Sequence, residues 1–289
     1  MKMPTRSMLF AALLAAFPLS KALSQDRFAD VEVTATSIKG SVHMLTGMGG
    51  NIGVSAGEDG VLIIDDQFAP LAEKIATALG QLGSDKPKYI INTHYHGDHT
   101  GSNAFFHSHT GATIFAHENV RIRLANDEKI KPEALPAVTY EDGIKIHFNG
   151  ETVHVIHLPV GHTDGDSVVW FEQPDVLHTG DLFFNGMFPY IDQGAGGNVE
   201  GYMESVKHLL NKIDDDTVII PGHGKISNKA EYTAFLAMID ETFNYVKALK
   251  QAGKTLDEVK ATGLDEKWAD WSWSFINEEK WITTLYNDA

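Results

Sequence analysis

Cysteine is absent from the 289 residues. That excludes disulfides, thiolate nucleophiles and thiolate-ligated zinc or iron–sulfur centres, so any bound metal must be held by His, Asp or Glu. Basic residues are also scarce: 23 Lys+Arg stand against 39 Asp+Glu, a formal net charge of −16. Such a chain lacks the positive face that phosphate backbones and anionic lipids require, so neither is an expected partner. Beyond the first two dozen residues no apolar run is long enough to span a bilayer. No proline-rich linker or low-complexity tract divides the chain. What is present fits one sizeable globular domain: 43% hydrophobic and 21% charged residues, close to globular averages. The 14 histidines stand out.

The first 24 residues read as a secretory leader. Lys2 and Arg6 precede an apolar run from Met8 to Leu19, and Ala22 and Ser24 supply small residues two apart, as at a cleavage site. The expected mature start is Gln25, the mature domain is residues 25–289, and its expected location is the periplasm or the outside of the cell. Export without cysteine leaves core packing and metal binding to stabilise the fold. No protein partner is evident, and once the leader is removed no membrane association is expected. A small-molecule substrate is.

Period-2 apolar patterns bounded by glycine turns predict strands over 31–38, 41–46, 51–56 and 61–65. Helical spacing of Leu71, Ile75, Ala78, Leu79 and Leu82 predicts a helix over 68–82. Short strand, helix, strand and helix segments follow over 88–92, 100–109, 112–116 and 117–125. A second block of strands is expected over 144–148, 152–158, 167–171 and 176–179. After it come a helix over 199–213, a strand over 217–220, a long helix over 228–251, and a helical tail carrying Trp268, Trp271, Trp273 and Trp281 that is expected to cover core. Two blocks of strands followed by helices suggest one layered α/β domain.

Most histidines lie singly within strand or helix patterns and need only a structural role, His117 being the least secure of these. The segment Thr93-His94-Tyr95-His96-Gly97-Asp98-His99-Thr100 differs, with three imidazoles and one carboxylate inside six residues directly after an apolar strand. An extended run points His94 and His96 to one side, and Gly97 allows a turn that brings Asp98 and His99 round. Two pairs of ligands flanking a turn suit two metal ions. Three further apolar strands also end in a turn residue and a possible ligand: Gly161-His162, Gly180-Asp181 and Gly222-His223. Functional groups in α/β folds gather at the carboxyl ends of strands, so the four ends are expected to converge.

These motifs (His94-x-His96-x-Asp98-His99, Gly161-His162-Thr163, Gly180-Asp181 and Pro221-Gly222-His223-Gly224) resemble those of the metallo-β-lactamase superfamily, over nearly the whole mature chain. The resemblance implies a four-layered αββα sandwich with two zinc ions at one edge of the paired sheets. It implies that His94, His96 and His162 hold the first metal, that Asp98, His99 and His223 hold the second, and that Asp181 bridges them. Zinc is the expected ion. An all-N/O second site also admits iron or manganese. The chemistry implied is hydrolysis of a carbonyl-type bond by a metal-bridging hydroxide, with Asp98 orienting it or shuttling a proton.

The stretch His162–Trp170 and the segment Asn198–Tyr202 look like those of secreted class B β-lactamases, which makes a β-lactamase-like amidohydrolase the first expectation. Two departures point elsewhere: Asp181 stands where those enzymes mostly carry cysteine, and residues 182–197 contain no Lys or Arg. That loop instead offers Phe184, Phe188 and Tyr190, which with Met48 in the glycine-rich turn 46–51 are the expected substrate contacts. They favour an apolar or aromatic group, so a lactonase or ester hydrolase is the alternative. A glutathione-thioester hydrolase would need a basic tail, and the tail has an excess of acids. An alternative of another class is a non-enzymatic periplasmic metal-binding accessory protein, disfavoured because such a protein needs no open water position.

Overall fold

The structure, a computed structural model, describes residues 27–289; the leader expected over residues 1–24 and the mature start at Gln25 lie outside them. Twelve strands form two sheets among these residues. The first holds β1 (Thr34–Lys39), β2 (Val42–Thr46), β3 (Ile52–Gly57), β4 (Gly60–Ile64), β5 (Pro87–Ile91), β6 (Thr113–His117) and β7 (Val138–Tyr140) in that spatial order. Pairs up to β4 are antiparallel, and β4 to β7 run parallel, connected through α1 (Ala72–Gly80), α2 (Gly97–Thr100), α3 (Asn103–Thr110) and α4 (Glu118–Ala125). The second sheet has the order β12 (Val218–Ile220), β11 (Val176–His178), β10 (Ser167–Phe171), β9 (Glu151–His157), β8 (Gly143–Phe148).

The layers follow from alternation along strands buried on both faces. In β4, Leu62 and Ile64 point between the sheets, where they join Val153, Val155, Val169 and Phe171 of the second sheet. Val61 and Ile63 point the other way, onto Leu71, Ile75 and Leu79 around α1 and onto Phe106 of α3. In β10, Val169 faces inward, whereas Val168 faces an outer helical layer. That layer is built from α5 (Val199–Leu210), α6 (Lys229–Gln251), α7 (Leu256–Thr262) and α8 (Glu278–Asp288). The result is helix–sheet–sheet–helix, the αββα sandwich.

Two features depart from the pattern read in the sequence. The three-residue strand β7 was not anticipated: it follows Pro136, is too short to show a period, and exists only because β6 offers it a parallel edge. The expected helix over 68–82 begins instead with a 3-10 turn at Ala69–Leu71 and enters α1 at Ala72, because Pro70 suits a first turn but not a helix interior.

What matters for function is where strands end. β11 and β12 are parallel, and β9 is antiparallel to β10, which is antiparallel to β11, so β9, β11 and β12 all run one way. Their carboxyl ends lead into His162, Asp181 and His223. The end of β5 leads into the segment 93–99. Asn51 ties the sheets together there: its backbone N–H donates to Gly222 O (2.7 Å) and its side chain to Pro221 O and Gly224 O (2.9 Å each).

Candidate metal centre

Seven side chains meet at this edge. His94, His96, His162 and Asp181 form one group and Asp98, His99 and His223 another, each with its donor atoms within 4.8 Å of one another. Asp181 lies between them. Its Oδ2 is 3.5 Å from His162 Nε2 and 3.7 Å from His94 Nε2; its Oδ1 is 3.1 Å from His99 Nε2 and 3.3 Å from His223 Nε2. Asp98 Oδ2 stands 3.4 Å from His223 Nε2 and 3.7 Å from His99 Nε2.

The far nitrogens of four of the five histidines have partners, which fixes which nitrogen faces inward. His162 Nδ1 donates to the Tyr190 carbonyl (2.7 Å), His99 Nδ1 to the Asp65 carboxylate (2.7 Å), and His96 Nε2 to Asp192 Oδ2 (3.0 Å); His94 Nδ1 pairs with Thr93 Oγ1 (3.0 Å). A carbonyl can only accept, so neutral His162 turns a lone pair inward, and His96, with Nε2 on Asp192, turns Nδ1 toward it. These two inward nitrogens lie 2.8 Å apart (His162 Nε2 to His96 Nδ1), close enough to share one cation. Buried His94 Nε2, His99 Nε2 and Asp181 Oδ1 also lack a hydrogen-bond partner. Buried polar atoms left this way are costly, and a shared cation resolves all of them at once. The donor set is therefore suited to divalent metal.

The local electrostatics agree. Burial pushes the Asp98 carboxyl up, but His99 and His223 outweigh it and hold the group at about 2. Burial, joined by repulsion from the neighbouring histidines, drives His162 down to about 4 and His94 well below the usual imidazole range, against the opposing pull of Asp181, keeping both neutral and able to ligate. Asp181 overcomes the burial of His223 and raises it to about 9.

Glycines leave room for the cluster. A Cβ on Gly50 would lie 2.1 Å from His99 Cε1, and one on Gly222 would lie 2.3 Å from Asp181 Oδ1. Gly180, at φ +51, makes the turn that presents Asp181.

A cavity of about 720 Å³ opens over the two groups, lined by Met48, Phe68, Phe184, Tyr190, Trp273 and Phe275 together with Arg27 and several of the candidate ligands. Phe184 stacks on His223 (4.9 Å, 12°) and Tyr190 lies 5.6 Å from both His96 and His162. Phe188, expected to contact substrate, does not reach this cavity. It is fully buried in the outer helical layer and stacks on Trp281 (5.8 Å, 19°), while Phe184, four residues earlier, turns toward the site. The tail does cover core, Trp281 being completely buried, yet Trp273 and Phe275 wall the cavity as well. The sequence assigns none of Asp65, Tyr95, Asp192, Phe275 and Arg27 to the site, and places Trp273 only as core cover. Asp65 alone carried a signal, since it ends an apolar strand as the other site residues do.

The family model described as the metallo-beta-lactamase superfamily matches residues 45–223. The chain belongs to the metallo-beta-lactamase superfamily. It is 30% identical over 203 residues to an uncharacterized protein of Aquifex aeolicus, covering 67% of this chain and 93% of that one. It is 31% identical to a hydroxyacylglutathione hydrolase of Polaromonas sp., over 57% of this chain and 59% of that enzyme. Among solved structures, the DIM-1 metallo-beta-lactamase superposes with a TM-score of 0.63 at 18% identity, over 73% of this chain and 99% of that one. The sec-alkyl sulfatase PisA1, as a double mutant, gives 0.68 at 15% identity, over 88% of this chain and 50% of that one. At such identities the two structures report the shared fold. Superfamily membership and these relatives make the protein a metallo-beta-lactamase-fold hydrolase, and its His/Asp groups are those of a divalent-metal centre.

Proposed function

We propose that the protein is an exported dinuclear zinc hydrolase that opens an ester or lactone-type carbonyl bond carrying an apolar acyl group. The observation that carries this reading is the division of Asp181, one carboxylate oxygen toward each histidine group, on the floor of a cavity walled by aromatic side chains. His94, His96 and His162 would hold one ion, Asp98, His99 and His223 the other, and Asp181 both. When bound, two such dications supply a water of lowered pKa and polarise the carbonyl oxygen. Asp98 lines the cavity with its side chain a quarter exposed and stays ionised, so it can take a proton from the attacking water and pass that proton to the leaving oxygen. Met48, Phe184, Tyr190 and Trp273 hold the acyl group and exclude water around it.

A lactam substrate is the second reading, favoured by the likeness of His162–Trp170 to class B β-lactamases. The aromatic walls weigh toward the ester. Metal analysis of purified protein, then nitrocefin assayed beside lactones and p-nitrophenyl esters, separates the two. Two zinc ions per chain and turnover of esters ahead of nitrocefin are expected. A two-zinc sample that turns over no carbonyl substrate sinks both enzymatic readings and leaves a metal-binding accessory role. Amino-terminal sequencing of the periplasmic fraction, expected to begin at Gln25, tests export.

A further inference from the structure

The sequence places no cation on the loop after Asp181, and the cavity obtains one from elsewhere. Arg27 is the one Lys or Arg among its lining residues. Two rings hold its guanidinium in place: that of Phe28, at 4.5 Å from the centroid, and that of Phe68, at 5.3 Å. Among the described residues no carboxylate lies within ion-pair distance of it, although acids outnumber bases in the chain by nearly two to one. Its position relative to the metal groups follows through Phe68. A Cβ on Gly49 would meet Asp98 Cβ at 3.2 Å and Phe68 Cδ2 at 3.4 Å, so Phe68 and Asp98 flank one glycine. Arg27 thus lies on the Asp98 side of the cavity, with the Phe68 ring and Gly49 between it and Asp98. Tyr190, Tyr95 and Asp192 border the opposite, His96 side.

A guanidinium fixed by two rings at a cavity rim, with no carboxylate partner among the described residues, is arranged to receive an anion. We infer that the substrate is an apolar ester or lactone whose far end carries a carboxylate, seated so that this carboxylate meets Arg27 on the Asp98 side. The inference rests on the hydrolase reading above and adds the charge and direction of the substrate. Met48 and Phe68 then line one flank of the apolar body, with Trp273 and Phe275 on the wall formed by the carboxyl-terminal segment.

The test compares two p-nitrophenyl esters of equal chain length on the zinc-loaded protein, neutral p-nitrophenyl pentanoate and anionic mono-p-nitrophenyl glutarate. Wild type is expected to prefer the anionic ester, and Arg27→Gln to lower the anionic-to-neutral ratio of kcat/KM roughly three- to tenfold, as for a partly exposed charge-assisted contact. Arg27→Lys should retain part of the preference, and salt at about 0.5 M should shrink it in wild type. An unchanged ratio in Arg27→Gln overturns the inference. Calorimetric titration with the unhydrolysed pair, glutaric acid monoanilide and pentananilide, gives an answer independent of turnover. If neither ester is cleaved but Arg27→Gln still weakens the acid selectively, the hydrolase reading fails and the anion subsite stands. If both esters are cleaved and the acid anilide binds both proteins alike, the subsite fails alone.

Discussion

Asp192 Oδ2 accepts a hydrogen bond from His96 Nε2 at 3.0 Å and a second from the Tyr95 hydroxyl at 2.6 Å, so one carboxylate oxygen fixes which nitrogen His96 turns toward His162. His96 is the first source of depression of the Asp192 carboxyl, which lies below the usual carboxylate range. Partners of this kind orient a ligand and raise its basicity, and their loss commonly lowers metal affinity 10–100-fold. Asp192→Ala is therefore expected to weaken the first metal by roughly that factor while sparing the second. Tyr95→Phe, which removes one of the two bonds, should cost less. Competition with a chromogenic chelator reads both. Equal weakening of the two metals in Asp192→Ala would count against this positioning role.

Asp181 Oδ1 approaches His99 and His223 at 3.1 and 3.3 Å, closer than Oδ2 approaches His162 and His94. Asp181→Ala should accordingly lower occupancy of the second metal more than the first, taking the chain from two ions toward one. Metal titration followed by site-resolved spectroscopy of the cobalt form measures it. Equal loss at both sites contradicts the ligand assignment.

The layered α/β domain and the convergence of its strand ends could be read from local pattern, whereas the αββα sandwich and the full set of seven ligands came from the family resemblance. Strand alternation gives the layers, and the dense run from His94 to His99 has no ordinary structural explanation. What was hidden depends on distance along the chain. Asp192 lies 96 residues from His96, and a lone Asp in a glycine-rich loop carries no mark of the partner it will meet. Trp273 looked like core cover because a sequence cannot say which tryptophan of a cluster faces inward; Trp281 does, and Trp273 faces the site. Phe188 was misplaced for the converse reason. In a loop without regular period, Phe184 and Phe188 look equivalent, and only the stacking of Phe188 on Trp281 separates them.

Gly50 backs His99. The His99 ring is completely buried and anchored through Nδ1 to Asp65, so it can make room for a Cβ at Gly50 only by straining that anchor. Gly50→Ala should cost about 1–3 kcal/mol as overpacking and lower the melting temperature by several degrees. It should also displace His99 and deplete the second metal. Wild-type melting with two full metals in the variant would show that the backing is not needed.

His117 and His157 stack at 3.6 Å with planes 9° apart, joining the end of β6 to the end of β9. Burial, reinforced by the neighbouring His157, lowers His117 to about 4, against smaller upward pulls from Asp164 and Glu118; burial also lowers His157. His117 Nδ1 accepts from Asn119 N (3.2 Å), which requires the neutral ring. With folded values below the unfolded value near 6.5, the unfolded chain binds more protons between them. The pair's stabilisation is thus full above about pH 6.5 and is lost as pH falls toward 4. His117→Phe, which keeps the stack, should flatten the fall in melting temperature across that window by roughly 2–4 °C, about 1 kcal/mol after allowing for solvent screening. An unchanged profile would show that other groups set the acid limb.

Trp273 belongs to the segment between the last two helical elements, and its placement is enforced from both ends. Its Nε1 donates to Phe188 O at 2.9 Å, its backbone N–H donates to Ile276 O at 3.0 Å, and its ring stands 6.0 Å from His223 and 5.6 Å from Phe275. Phe188 therefore contributes to the site indirectly, by holding the ring that walls it. Trp273→Ala removes an indole ring that lines the cavity while leaving every candidate ligand in place. Loss of one such contact is worth about 1–2 kcal/mol, or roughly a five- to thirtyfold fall in kcat/KM on an apolar ester. That loss should appear mainly in KM, because the ring binds the acyl group and does not act on the reacting bond. Trp273→Phe, which retains a ring but not the bond to Phe188 O, should recover part of it. A fall confined to kcat, with KM unchanged, would mean that the segment sets the geometry of the metal ligands rather than the apolar wall.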